Sequence, residues 1–141
     1  MTIYDPSATN RPLNIPEAIA RMEGWNQTPP ARCRRNNNPG NLNFSGWETV
    51  FGGKLETTPE GEKARFAVFP TAQSGFAALV HLCGFPKYRG KSLENLISAW
   101  APPSENDTSQ YLHLVCKWTE LSPETIIDGF LGIEPHPSSS I

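Results

Sequence analysis

Cysteine is scarce and badly spaced for chemistry: Cys33, Cys83 and Cys116 are the only three among 141 residues, with no Cys-x-x-Cys pair. That excludes a zinc cage and a disulfide framework, although Cys83 and Cys116 both fall on predicted helices, so whether these two pair is left to geometry. Histidine is equally sparse. His81, His113 and His136 share no metal-ligand spacing, and no Ser-His-Asp order or nucleophile elbow occurs, which disfavours zinc and serine hydrolysis. Gly52-Gly53 lacks the Lys-Ser or Lys-Thr of a phosphate loop. Neither a metal nor a cofactor is expected. Charge of one sign is also missing: 12 Lys and Arg stand against 14 Asp and Glu, a formal balance of -2, so nothing advertises nucleic acid as a partner. No run approaches the roughly 18 apolar residues of a membrane span, and Met1-Thr2-Ile3-Tyr4-Asp5 lacks the basic-then-apolar order of a signal peptide. Membrane insertion and export by the general route are therefore not expected. No internal repeat is visible, which removes a solenoid.

What is present fits one domain. Residues 1–13, with Pro6, Ser7, Asn10 and Pro12, read as a flexible leader without chemistry, 14–133 as the folded domain, and 134–141 as a loose tail. Asn14 caps a predicted helix in which Pro16 and Glu17 suit the first turn and Ile15, Ala18, Ile19 and Met22 form an apolar stripe. Gly24 ends that helix, leaving Glu23 half sheltered at its edge. From 36 to 70 the pattern becomes extended. Residues 41–44, 49–51, 54–58 and 65–69 read as strands of a small antiparallel sheet, with turns at Gly52-Gly53 and Pro59-Glu60-Gly61-Glu62. Four helices follow: Thr71 caps one ending at Gly84, Ser92 one stopped by Pro102-Pro103, Asp107 or Thr108 one carrying Tyr111, Leu114, Val115 and Trp118, and Ser122-Pro123-Glu124 one carrying Ile126, Ile127, Phe130 and Leu131. The expected class is α+β, mainly α.

The most informative segment is Met22-Glu23-Gly24-Trp25 with Arg35-Asn36-Asn37-Asn38-Pro39-Gly40-Asn41 shortly after. One acid at a helix end is followed by a dense run of amides and turn residues, a poor composition for a core and a suitable one for a polar cleft acting on a sugar polymer. Together with Arg65-Phe66-Ala67-Val68-Phe69, Ser74-Gly75, and Trp100-Ala101-Pro102-Pro103-Ser104-Glu105-Asn106-Asp107-Thr108 with Tyr111, it resembles the lysozyme-like proteins of bacteria and their phages, as a compact version of the soluble lytic transglycosylase domain. The resemblance spans residues 14 to about 128. It implies a lysozyme-like fold, with helices and a small sheet flanking a cleft, and a monomer acting in the cell wall on the β-1,4-linked N-acetylmuramic acid and N-acetylglucosamine strands of peptidoglycan.

Glycosidic cleavage requires a proton for the leaving oxygen, and an ordinary glutamic acid, titrating near pH ~4.3, has already lost it at neutral pH. Shelter by Ile19, Met22 and Trp25 is the expected remedy for Glu23. A retaining or inverting hydrolase also needs a second carboxylate. Glu48, Glu56, Glu60 and Glu62 are in range, but each reads more simply as a solvated turn or strand charge. The resemblance therefore implies Glu23 alone as acid and then base, the substrate's N-acetyl group steadying the cationic centre, and an anhydro-muramyl product. If a hairpin carboxylate holds a water, the protein is a hydrolytic muramidase. Chitin cleavage and a non-catalytic glycan-binding or structural module of a phage particle or secretion apparatus are the other readings. Asn37 and Asn41 are assigned to substrate contact and Asn38 and Gly40 to the turn itself. Arg35 is expected to meet a buried carboxylate. Glu105 and Asn106 fall in the motif and are taken as substrate-binding. Tyr111 either lines the cleft, holding the acetamido group, or joins the core. Of four tryptophans, Trp47 beside Gly46 is the expected sugar-stacking residue.

Overall fold

The computed structural model describes residues 4–104 and 106–127. These form a mainly helical α+β structure in the order α1 (Ile15–Glu23), α2 (Arg32–Arg35), a 3-10 turn (Trp47–Phe51), β1 (Lys54–Leu55), β2 (Ala67–Val68), α3 (Ala72–Cys83), α4 (Leu93–Trp100) and α5 (Thr108–Thr119). Local chemistry sets most of the boundaries. Asn14 caps α1 through a reciprocal pair with Glu17, Thr71 and Ser74 do the same for α3, and Ser92 and Asp107 accept the amides of Asn95 and Gln110 at the starts of α4 and α5. Gly24, at φ 102°, ends α1 in the left-handed region, where an added Cβ would also strike the Gln27 side chain. That stop leaves Glu23 as the last helical residue.

The α1 helix packs chiefly on α5, and α3 and α4 complete the surround. Leu13, Ile15, Ala18 and Ile19 bury against a core that includes Leu79, Leu96, Ile97 and Val115. A second cluster joins Ala20, Trp25, Cys33 and Phe76, with Tyr4 stacked on Phe76 at 4.4 Å. Burying an aliphatic side chain contributes about 1.5–3 kcal/mol, so the first cluster supplies the larger part of the driving force.

Several expectations are corrected. Residues 4–13 do not behave as a loose leader: Glu17, fully buried, accepts the Asp5 amide at 2.6 Å and both terminal nitrogens of Arg11, while Arg21 reaches back to the carbonyls of Pro6 and Ala8. A buried carboxylate needs such partners, and the chain before α1 supplies them. The sheet is smaller than expected, with two antiparallel strands in register Lys54↔Val68 and Leu55↔Ala67 plus a single Asn43–Phe66 bridge. Residues 49–51 belong to the 3-10 turn, because Gly46 and Gly52 take positive φ on either side and Glu48 draws the Ser45 and Gly46 amides inward at 2.9 and 2.8 Å. Residues 122–127 are not helical. Ile127 and Thr125 exchange backbone bonds with Lys91 and Leu93, and an extended bridge pairs Ile126 with Ser92. Phe130, Leu131 and the 134–141 tail lie outside the described residues. All three cysteines are free, so Cys83 and Cys116 do not pair.

Glu56 and Glu48 are buried rather than solvated. Glu56 accepts the Arg65 and Phe66 amides at 3.0 and 2.8 Å and a two-pronged contact from Arg32. Burial alone would raise its pKa, but these donors overcome it and hold the group down at about 2. Because the folded value lies below the unfolded one, the stabilisation is complete above about pH 5 and is lost as pH falls through about 2. In urea titrations, the advantage of wild type over Glu56→Gln is expected to be full at pH 7 and to shrink steadily below pH ~5. A gap independent of pH would show that the carboxylate charge is not what Arg32 and the two amides hold.

Candidate active site

A cleft of about 730 Å³ opens between the end of α1, the 40–48 segment, the Arg65-Phe66 edge of the sheet, the 82–88 loop and the end of α4. Glu23 lies on its wall, half-buried. Its carboxylate is bracketed from two sides: Asn41 donates Nδ2 to Oε1 at 3.0 Å, and Tyr111 donates its hydroxyl to Oε2 at 3.0 Å. Tyr111 is only 4% exposed. Burial, and next the Glu23 charge, push the phenol's pKa upward, so Tyr111 stays a protonated donor. The two donors are not equivalent. An amide N–H can only donate, whereas a hydroxyl can donate or accept. When Glu23 takes up a proton, Oε1 therefore keeps its bond from Asn41 and Oε2 carries the hydrogen.

The Asn41 arrangement depends on the loop before it. Asn38 is fully buried and makes three bonds, from Nδ2 to the carbonyls of Leu42 and Ala67 and to Oδ1 from the Leu42 amide. Such bonds do the work of a miniature sheet, tying the amide-rich run to β2. The loop also lies directly on α3, where a side chain on Gly75 would overlap the Asn37 carbonyl oxygen. Only glycine allows that approach. Gly40 likewise sits against Leu79 and the Trp100 indole, so Pro39-Gly40 brings Asn41 to the carboxylate past that ring. Asn41 adopts φ 49°, left-handed and uncommon outside glycine. Its Oδ1 is shielded from solvent and has no hydrogen-bond partner. Strain and an orphaned acceptor at a position that touches the acid mark Asn41 as kept for the site rather than for stability.

Not every residue named from sequence gathers here. Glu23, Gly40, Asn41, Trp47 and Asn106 line the cleft. Asn37 does not: it takes φ 51° and spends its amide on the Phe69 carbonyl at 3.1 Å, so its assigned substrate contact gives way to a structural role. Arg35 donates to the Pro30 carbonyl at 2.7 Å, and the buried carboxylates are met by other arginines, Glu56 by Arg32 and Glu17 by Arg11. Tyr111 takes the second of its two expected roles: it packs in the core and does not line the cleft, and its hydroxyl bonds to Glu23 rather than facing a substrate acetamido group. Trp47 is half-buried among Phe51, His81 and Phe85, with ring centroids 5.3–6.1 Å apart. Glu105 lies outside the described residues. Ile19 and Trp25 face the core clusters, so the apolar walls beside the acid come instead from Leu82, Phe85, Tyr88 and Trp100. Phe85, Lys87 and Tyr88 were missed by sequence reasoning. The signal for them was a pair of aromatics in a short loop between Gly84 and Gly90, where no helical periodicity explains them. Asn43 was read as a strand residue, and Arg65 and Phe66 as strand residues within the motif, none of them as part of the cleft wall.

The thiols do not compete as nucleophiles. Burial, then the charge of Glu23, pushes Cys33 up to about 11, and burial pushes Cys83 up to about 12. Among the described residues, no group of three or more His, Cys, Asp or Glu side chains is placed to hold a metal, and no helix is long and apolar enough to cross a membrane. A scan against protein-family models finds no match to this chain, and a search among curated proteins finds no relative.

The different roles of the two asparagines are separable by measurement. Asn38→Ala strands two buried backbone groups, the Leu42 amide and the Ala67 carbonyl, while the Leu42 carbonyl keeps the Ala67 amide, and is expected to lower unfolding free energy by at least about 2 kcal/mol. Asn41→Gly relieves a left-handed residue and an unpartnered oxygen, and is expected to leave the thermal midpoint unchanged or raised. A large loss for Asn41→Gly would make that residue a stability element like Asn38.

Proposed function

We propose that this chain has a lysozyme-like fold and cleaves the β-1,4 bond between N-acetylmuramic acid and N-acetylglucosamine in peptidoglycan, acting at the cell wall as a lytic transglycosylase. The observation that carries the reading is the placement of Glu23: a carboxyl on the wall of an amide- and aromatic-lined cleft, gripped by Asn41 and Tyr111. Cleft walls of this composition suit aminosugars, because amides match acetamido and hydroxyl groups and aromatic faces stack on sugar rings.

In the proposed sequence, protonated Glu23 gives its carboxyl hydrogen to the glycosidic oxygen as the bond to the anomeric carbon breaks. The substrate's own acetamido oxygen closes on that carbon and takes the developing charge. Glu23, now ionised, removes the proton of the same sugar's 6-hydroxyl as its oxygen displaces the acetamido group, leaving a 1,6-anhydro end and a reprotonated acid. No second carboxylate is required. Its absence from the scheme is supported by Glu48 and Glu56, whose oxygens are committed to Ser45, Gly46, Arg32 and the Arg65 and Phe66 amides. Tyr111 and Asn41 are positioning residues here, holding the carboxyl in one rotamer through both protonation states.

Incubating the protein with purified peptidoglycan and resolving the released muropeptides by mass tests this reading. Fragments lighter than the hydrolytic ones by the mass of one water, about 18 Da, are expected, because the 6-hydroxyl takes the place of the water that hydrolysis would add. Glu23→Gln is expected to reduce release by about 10²–10⁴-fold while still binding glycan. Ordinary reducing ends would make the enzyme a hydrolase, and full activity of the Glu23→Gln protein would remove Glu23 from the chemistry.

A further inference from the structure

The cleft does not end at the sheet edge. Asn43 and Arg65 line both it and a second depression of about 420 Å³ that also takes in Phe44, Lys63 and Ala64. This side depression contains two cations and no anion. Lys63 and Arg65 are exposed, and the ion pairs of this part of the chain, Arg11 with Glu17 and Arg32 with Glu56, do not include them. The neighbouring Glu60 and Glu62 are exposed on the preceding turn and do not line the depression.

Arg65 is held ready rather than free. Its Nε donates to Asn43 Oδ1 at 2.8 Å and its guanidinium lies over the Phe66 ring at 4.8 Å, fixing the plane and leaving the terminal nitrogens to face a ligand. A guanidinium presented in this way matches a carboxylate in a two-pronged contact, and a flexible ammonium alongside adds charge without demanding geometry. In the main cleft the charge points the same way: Lys87 is exposed there, and the other carboxylate on the wall, Glu48, is fully buried and bonded inward.

Resting on the function proposed above, we infer that the Lys63–Arg65 depression binds a carboxylate of the peptide branch carried by the muramyl sugar. A neutral aminosugar polymer such as chitin has nothing to place there, whereas a peptide-bearing strand lying past Glu23 projects an anionic branch from every second sugar. The depression adjoins the cleft at its side, as a branch requires. It is thus the feature that distinguishes peptidoglycan from chitin in a cleft whose other contacts suit both.

The test is equilibrium binding of the Glu23→Gln protein to three size-matched oligomers: peptide-bearing glycan strands, the same strands freed of peptide by an amidase, and chitin oligomers. Cleavage by wild type is followed in parallel. Peptide-bearing strands are expected to bind about 5- to 30-fold more tightly than either other ligand, as two exposed charge contacts warrant, with the preference shrinking as salt rises. Lys63→Glu and Arg65→Gln, both at exposed positions, are expected to compress that ratio. Equal binding of peptide-bearing and stripped strands, or a ratio that survives both substitutions, would overturn the inference while leaving glycosidic cleavage intact. Preferential binding without any cleavage by wild type would instead uphold the depression and reject the catalytic reading.

Discussion

The bracket around Glu23 is the interaction on which the rest of the structure converges. Its two arms come from distant parts of the chain, Asn41 from the amide-rich loop and Tyr111 from α5, 88 residues from the acid. Neither arm can be placed without the core. Tyr111 arrives because α5 packs along α1, and Asn41 arrives because Asn38 ties the loop to β2 while Gly75 lets the same loop lie on α3. A polar contact of this kind adds about 1.5–3 kcal/mol at most, less than the apolar burial beneath it. What it gains is position: a carboxyl fixed to one side of a cleft, with one oxygen always accepting and the other free to carry a proton.

Among the described residues, stability is given up at one visible point. Asn41 holds a left-handed backbone and leaves an oxygen unpartnered out of water, an arrangement costing about 1–3 kcal/mol for the orphan alone. Nearby polar groups are fully satisfied. Asn38 uses both ends of its amide, and Glu17, Glu48 and Glu56 have each gathered backbone or charged donors. The contrast within one short run of asparagines separates the residue that serves the cleft from those that build it.

The helices α1, α3, α4 and α5 were legible because their signals are local, whereas α2 was not foreseen and the helix expected from Ser122 is not helical over 122–127. Asn14, Thr71, Ser92 and Asp107 announce the starts of α1, α3, α4 and α5, and Gly24 announces the stop that puts Glu23 at a helix end. The sheet was over-read, since apolar alternation at 49–51 cannot reveal that Glu48 and two glycines wind those residues into a 3-10 turn. The N-terminal segment was under-read for a similar reason: nothing local in Pro6 to Pro12 shows that a buried Glu17 will need Arg11 and the Asp5 amide. At the site, the acid and Asn41 could be named from the motif. Which arginine meets a carboxylate, which asparagine faces the cleft, and which loop brings Tyr88 and Phe85 to the wall are decided by tertiary placement, and residues of one short helix such as Arg32 and Arg35 differ only there.

The account reduces to where a glycosidic oxygen sits relative to the end of α1. A crystal structure of the Glu23→Gln protein soaked with a peptidoglycan oligomer long enough to cross the cleft reads this directly. The expected result is a sugar linkage whose bridging oxygen lies within about 3.2 Å of the side chain at position 23. An oligomer seated in the cleft with every bridging oxygen beyond that reach would contradict the assignment of Glu23 as the proton donor.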